Sequence, residues 1–192
     1  MTQVKLRDVA SIRIGYAFRS SVERDPDGTV GVIQMKDIDH YNQLDLSDVY
    51  RVQIEDLKPE HLLKKDDILF RSKGVSNTAA LVSQDVGQCV ASELLTVIRM
   101  KSKKAIAGYI AWYINQPYGQ YQIKRFSKGS SLLSVSNTEL GELKIELPPL
   151  EKQQLIAEVA TLSQREQQIM DELTRKRRVY TNAVLMKQVK AE

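Results

Sequence analysis

With 192 residues, 42% of them hydrophobic, the chain can build one globular domain with a real core and carry an appendage. A single cysteine, Cys89, excludes an internal disulfide framework and any multi-cysteine zinc site, and two histidines, His40 and His61, are too few for a histidine-rich metal site or a well-supported triad. The net charge of +4 does not by itself imply nucleic acid. MTQVKLRDVA has no apolar leader core, and no run approaches about 18 apolar residues, so a cytoplasmic protein is expected.

In chain order, Val4 to Ile14 begins with a short helix or turn, with Leu6, Val9 and Ile12 spaced for one buried face. Gly15 breaks that element, and Tyr16, Phe18 and Arg19 follow on a loop. VGVIQM, Val30 to Met35, is rich in β-formers and predicts a core strand that leaves through a polar turn at Lys36 to Asp39. Leu57 to Leu63 predicts a brief helix, Ile68 to Phe70 a strand, and Arg71-Ser72-Lys73-Gly74 a turn at its end. Thr78 to Val86 and Cys89 to Arg99 predict two more strands, with Cys89 as a small buried hydrophobe. Lys104 to Asn115 predicts a helix stopped by Pro117, with Trp112 as a packed aromatic. A second helix spans Tyr118 to Phe126. KGSSLLSVS predicts an exposed loop leading to a capped turn at Asn137, and LKIEL, Leu143 to Leu147, alternates as a strand. The mixture predicts a mixed α/β domain over residues 1–147.

From Leu147 onward the pattern changes. Two prolines are followed by about forty residues without Pro or Gly. Leu155, Val159, Leu162, Ile169, Leu173, Tyr180 and Ala183 sit on alternating four- and three-residue steps, interrupted at Glu166 and Lys176. That is a heptad seam with two polar positions, and it predicts a long coiled-coil helix over residues 148–192. At 1.5 Å per residue it is about 60 Å long, more than a domain of this size can cover. Another chain, or a fold back onto its own domain, would complete the seam.

Charge is unevenly placed. Gly28 to Phe70 holds nine acids against five bases, whereas Leu94 to Thr138 holds no acid among 45 residues and seven bases. Phosphate contacts select Lys and Arg and exclude nearby carboxylates, so a polyanion partner accounts for the gap; a solvated basic surface is the plainer reading. No GxxxxGK[ST] loop and no GxGxxG after a strand occurs. The only Pro-Pro is in LPPL, not in an adenine-methylating Asn-Pro-Pro or Asp-Pro-Pro motif, and the Glu142-Leu143-Lys144 triplet is too common to argue for a nuclease. No catalytic residue, cofactor or metal site is expected.

Taken together, LRDVASIRIGYAFRS, VIQMKDI, DDILFRSKG, CVASELLTVIRM and KGSSLLSVSNTELGELKIELPPLEKQQLIAEV resemble, in family order over nearly the whole chain, a specificity (S) subunit of type I restriction–modification enzymes in a half-length form. Two departures stand out, Glu-Lys-Gln-Gln in place of Glu-Gln and Lys-Asp-Asp in place of Gly-Asp before the strand. The resemblance implies a non-catalytic, DNA-binding target-recognition domain followed by a spacer helix. It implies self-pairing of two copies through that helix, double-stranded DNA as ligand and adenine DNA methyltransferase subunits as partners. A restriction (motor-nuclease) subunit joins them in the restriction complex. A free-standing DNA-binding regulator or modification-blocking decoy would use the same domain. The resemblance does not identify base-reading residues. Chemistry nominates Tyr16, Phe18, Arg19, Lys36, Arg71, Lys73, Lys128, Ser130 and Ser131, aromatics, cations and hydroxyls on loops or at strand ends. Core packing for the aromatics and plain solvation for the cations are the competing roles.

Overall fold

The computed structural model describes residues 2–18, 21–74, 76–126 and 133–189. Contacts divide the chain into two units that meet between Ala157 and Glu158.

The first unit is built on a four-stranded antiparallel sheet of order β2-β9-β5-β7, formed by Ala10–Ile14 (β2), Leu95–Met100 (β9), Ile68–Arg71 (β5) and Ala79–Leu81 (β7). Its side chains alternate between two buried faces. Ile68, Phe70 and Ile98 pack in one cluster with Ile110 and Ile114 of the helix Ala107–Asn115 (α2). Leu69, Leu95 and Val97 face a second cluster with Ile33 and Ala91. Burial on both faces explains why these strands read as continuous apolar runs rather than as alternating ones.

A three-stranded sheet lies beyond the second face: Tyr50–Val52 (β4), Val30–Ile33 (β3) and Cys89–Ala91 (β8), with β3 and β8 parallel. Cys89 is buried here. Thr2–Lys5 (β1) pairs with Lys144–Leu147 (β11), and Leu6–Val9 (α1) turns the chain from β1 into β2 with Leu6 and Val9 buried.

Several expectations are corrected by contacts distant in sequence. The stretch Cys89 to Arg99 is two strands in two sheets. The break falls at Ser92, whose N–H donates to Ile33 O while its own carbonyl accepts from Leu95. Lys73–Gly74 is not a turn but a short strand (β6) paired with Leu133–Ser134 (β10), a partner nearly sixty residues away. Pro117 does not merely stop α2; it opens Pro117–Phe126 (α3), where its missing N–H costs nothing. Asn137–Gly141 (α4) is capped one residue earlier than expected, by Ser136, whose hydroxyl accepts from Glu139 N at 3.2 Å while Glu139 accepts from Ser136 N at 2.8 Å.

The last helix, Leu150–Val189 (α5), has 40 residues. Its first two turns belong to the first unit. Gln153 is 1% exposed and fully bonded: its Nε2 donates to Pro148 O at 2.8 Å and Lys104 O at 2.9 Å, and its Oε1 accepts from Ile106 N at 3.0 Å. In the second unit the seam is bare. Leu162 is 69% exposed, and Val159, Ile169, Leu173, Tyr180 and Ala183 are exposed as well, as is Leu155 just before it. Among the described residues no helix is long and apolar enough to cross a membrane.

Candidate nucleic-acid interface

One end of the central sheet is marked by the pairs Ile14–Thr96, Arg71–Leu95 and Phe70–Ala79. The C-terminal ends of β3 and β8 open onto it, because Ser92 bonds to Ile33 O, Gly15 N to Leu95 O and Tyr16 N to Ala91 O. Gly15 is required by this crossing: a Cβ there would stand 2.1 Å from Ser92 O. The β6–β10 ribbon is tied to the same place, since Ser72 Oγ donates to Leu94 O at 3.1 Å and Val135 N to Ser72 O at 2.9 Å.

Five of the nine nominated residues come together here. Tyr16 and Phe18 are half-buried, their ring centres 4.8 Å apart, packed on Val30, Val32 and Val90. Phe18 also lines a cleft of about 280 Å³ with Gln34, Met35, Lys36, Ser92 and Leu94. Lys36 donates to Asp37 at 2.9 Å and sits 4.2 Å above the Tyr50 ring; the bond to Asp37 holds its ammonium pKa above the ordinary lysine value. Arg71 turns inward, donating to Thr78 Oγ1 at 2.9 Å, to Asn42 Oδ1 at 3.3 Å and to the Ile38 and Asp39 carbonyls. Burial pushes its guanidinium pKa down, with Asp39 opposing. Lys73 is exposed and forms no ion pair with the described residues. Arg19, Lys128, Ser130 and Ser131 lie outside the described residues.

The acid-free stretch is not one surface. Arg99 is held by Asp67, which is 1% exposed, through Nε–Oδ1 at 2.7 Å and Nη2–Oδ2 at 2.6 Å. Next to this pair, burial and then the Arg99 charge lower the Arg13 pKa. Lys101, Lys103 and Lys104 follow Met100 at the opposite end of the sheet, where α5 is attached. Lys124 and Arg125 lie exposed on α3.

Sequence reasoning missed the polar groups that build this end. Asn115 accepts from Ala79 N at 2.9 Å and donates to Ala79 O at 2.8 Å. Gln120 donates to Asn77 O at 2.9 Å, and Asn77 to Arg71 O at 2.8 Å. Gln34 Nε2, Asn77 Oδ1 and Ser92 Oγ are buried there without a partner among the described residues. Nothing in isolated Asn and Gln codons signals such roles; only the tertiary pairing does. His61 is half-buried with its ring edge-on to Tyr16 at 5.3 Å. Among the described residues no group of three or more His, Cys, Asp or Glu could hold a metal. The arrangement offers cations, amides and a cleft lined by one aromatic, Phe18, and one carboxylate, Glu93, which is chemistry for binding.

Solved structures share the architecture of this chain. The fold is similar to that of the HsdS subunit from Thermoanaerobacter tengcongensis (TM-score 0.61, 17% identity, 86% of this chain and 37% of that one). It is also similar to a chain from a structure titled for complex assembly and conformational transition of the type I R-M system (TM-score 0.61, 17% identity, 86% and 38%). A third likeness is to the type I restriction-modification system S subunit from M. genitalium (TM-score 0.58, 13% identity, 84% and 38%). The chain thus spans somewhat over a third of the length of each. No curated protein matches it. Residues 1–176 match the family model described as type I restriction modification DNA specificity domain, and the chain belongs to that family.

Proposed function

We propose that this chain is a DNA sequence-specificity subunit of a type I restriction–modification system, non-catalytic in itself. It pairs with a second copy through α5 and directs adenine methyltransferase subunits, and a motor-nuclease subunit where one is present, to an interrupted palindrome. Family membership supports the DNA reading. The observation that carries the pairing is the bare heptad seam: apolar side chains from Leu155 to Tyr180 recur at coiled-coil spacing and are exposed to solvent.

In this reading the sheet end bearing Phe18, Lys36 and Lys73 faces the duplex. Lys73 has the exposure to neutralise a phosphate, and Phe18 the cleft against which a groove edge can pack. Tyr16 supports Phe18, and Arg71 positions the loop at Ile38 to Asn42 rather than reaching outward. Arg19, Lys128, Ser130 and Ser131 retain the roles of groove and backbone contacts. Antiparallel pairing of two helices about 60 Å long puts identical recognition domains at either end. Half-site centres about one helical turn apart, 34–36 Å, are then within reach.

The test is to co-express the full chain with an adenine methyltransferase of the type I class and map methylated adenines genome-wide, with and without the gene. The expected result is one interrupted, inverted-repeat motif that appears only with the gene. An asymmetric motif would refute self-pairing, and unchanged methylation in an assembled complex would refute the specificity role.

A further inference from the structure

Helix α3, sequence PYGQYQIKRF, buries Gly119 and Ile123 one turn apart and packs Phe126 against the same core. Gly119 allows the close approach to α2, for a Cβ there would lie 2.4 Å from Tyr113 O. The rest of the helix carries a different load. Tyr118 is 50% and Tyr121 59% exposed, and Lys124 and Arg125 are exposed beside them. Arg125 stands one turn beyond Tyr121, its guanidinium 5.8 Å from the ring centre. Neither cation forms an ion pair with the described residues, whereas Lys5, Arg7, Arg24, Lys36 and Arg99 each pair with a carboxylate.

The helix is fastened to the sheet end described above through Gln120 to Asn77 and Asn77 to Arg71. Six residues separate its last residue, Phe126, from β10, so the two ends lie at most about 25 Å apart. The face is therefore tethered to the β6–β10 ribbon.

Resting on the DNA reading above, we propose that this face of α3 is a second backbone clamp for duplex DNA, in which Lys124 and Arg125 neutralise phosphates flanking the bases read at the sheet end and the Tyr118 and Tyr121 hydroxyls donate to phosphate oxygens. The sequence of α3 carries no carboxylate, and two exposed cations beside two exposed tyrosine hydroxyls match the charge and acceptor oxygens of a phosphate backbone. Arg125 covers one side of the Tyr121 ring, which favours a hydroxyl contact with phosphate over base stacking.

The experiment measures binding of the full chain, assembled with its methyltransferase, to fluorescein-labelled duplexes of several unrelated sequences between about 50 and 200 mM salt. It compares the unmodified protein with a Lys124→Gln/Arg125→Gln double variant and with Tyr121→Phe, each checked for native melting. Losing two phosphate contacts should lower the salt slope by about 1.8 and shrink the affinity change across that range about tenfold, equally for every duplex. Tyr121→Phe should weaken all duplexes alike. An unchanged slope overturns the clamp, as does a loss confined to one sequence or a loss of methyltransferase association with DNA binding intact. Absence of salt-dependent binding by the unmodified assembly would overturn the underlying DNA reading instead.

Discussion

Arg71 and Lys73 carry the same charge two residues apart, and the structure gives them opposite surroundings. The guanidinium of Arg71 is spent on four acceptors within the chain, while the Lys73 ammonium is exposed. Arg71→Ala should therefore destabilise the domain by about 1–3 kcal/mol through acceptors left unpaired, read as a lower urea midpoint with unchanged slope. Lys73→Gln should leave that midpoint almost unmoved and flatten the salt dependence of DNA binding by about 0.9. Tyr109 provides a pH test. Buried, with its hydroxyl donating to Glu146 O, it has its pKa pushed up to about 12 from 10.0, by desolvation first and then by Tyr113 and Glu146. The folded state thus favours the neutral phenol. That stabilisation is complete below pH 10 and is lost as pH rises through about 12. Tyr109→Phe should make alkaline unfolding less steep over this window, Tyr113, raised in the same direction, accounting for part of what persists. A variant as alkali-sensitive as the parent would show that Tyr109 ionises freely in the folded protein.

At the scale of elements, regular pattern was legible and long-range pairing was not. The strands at Val30 and Ile68, the helices after Lys104 and Pro117 and the long C-terminal helix follow from apolar spacing and punctuation, which act locally. The β6–β10 ribbon, the division of Cys89 to Arg99 between two sheets and the Asn77–Gln120 link arise from contacts between residues tens of positions apart, which spacing does not encode. The same holds for the interface. Exposed Lys73 was readable as a cation near a strand end, but the inward turn of Arg71 depends on where Ile38 and Asn42 lie in space. Gln153 is the clearest element-scale case, one side chain closing the joint between α2 and α5 with three bonds. Gln153→Leu leaves the Ile106 N–H and two carbonyls unpaired and should cost about 1–3 kcal/mol or more, seen in the melting temperature. Stability unchanged by this substitution would mean that water replaces the amide without loss.

For the whole molecule, the proposed assembly makes α5 the element on which symmetry depends. Placing Asp at both Leu162 and Ile169 introduces two carboxylates into an apolar seam, and burying them ionised and unpaired costs several kcal/mol. Those positions are exposed in the single chain, so the recognition domain of the double variant should melt as the parent does. Paired-site methylation by the assembled complex should disappear. Normal methylation by the double variant would show that something other than this helix holds the copies together.

The two ends of the central sheet have separate duties in this picture, and that separation bears on how such a protein changes over generations. The residues around Phe18, Lys36, Lys73 and Leu94 lie at one end. The partners of Gln153, namely Lys104, Ile106 and Pro148, lie where the chain leaves the other. Substitutions among the first set touch none of the second. A lineage can then rewrite the letters it recognises while keeping the metre at which they are read, and a modified host genome can acquire a new mark without the complex having to be rebuilt around it.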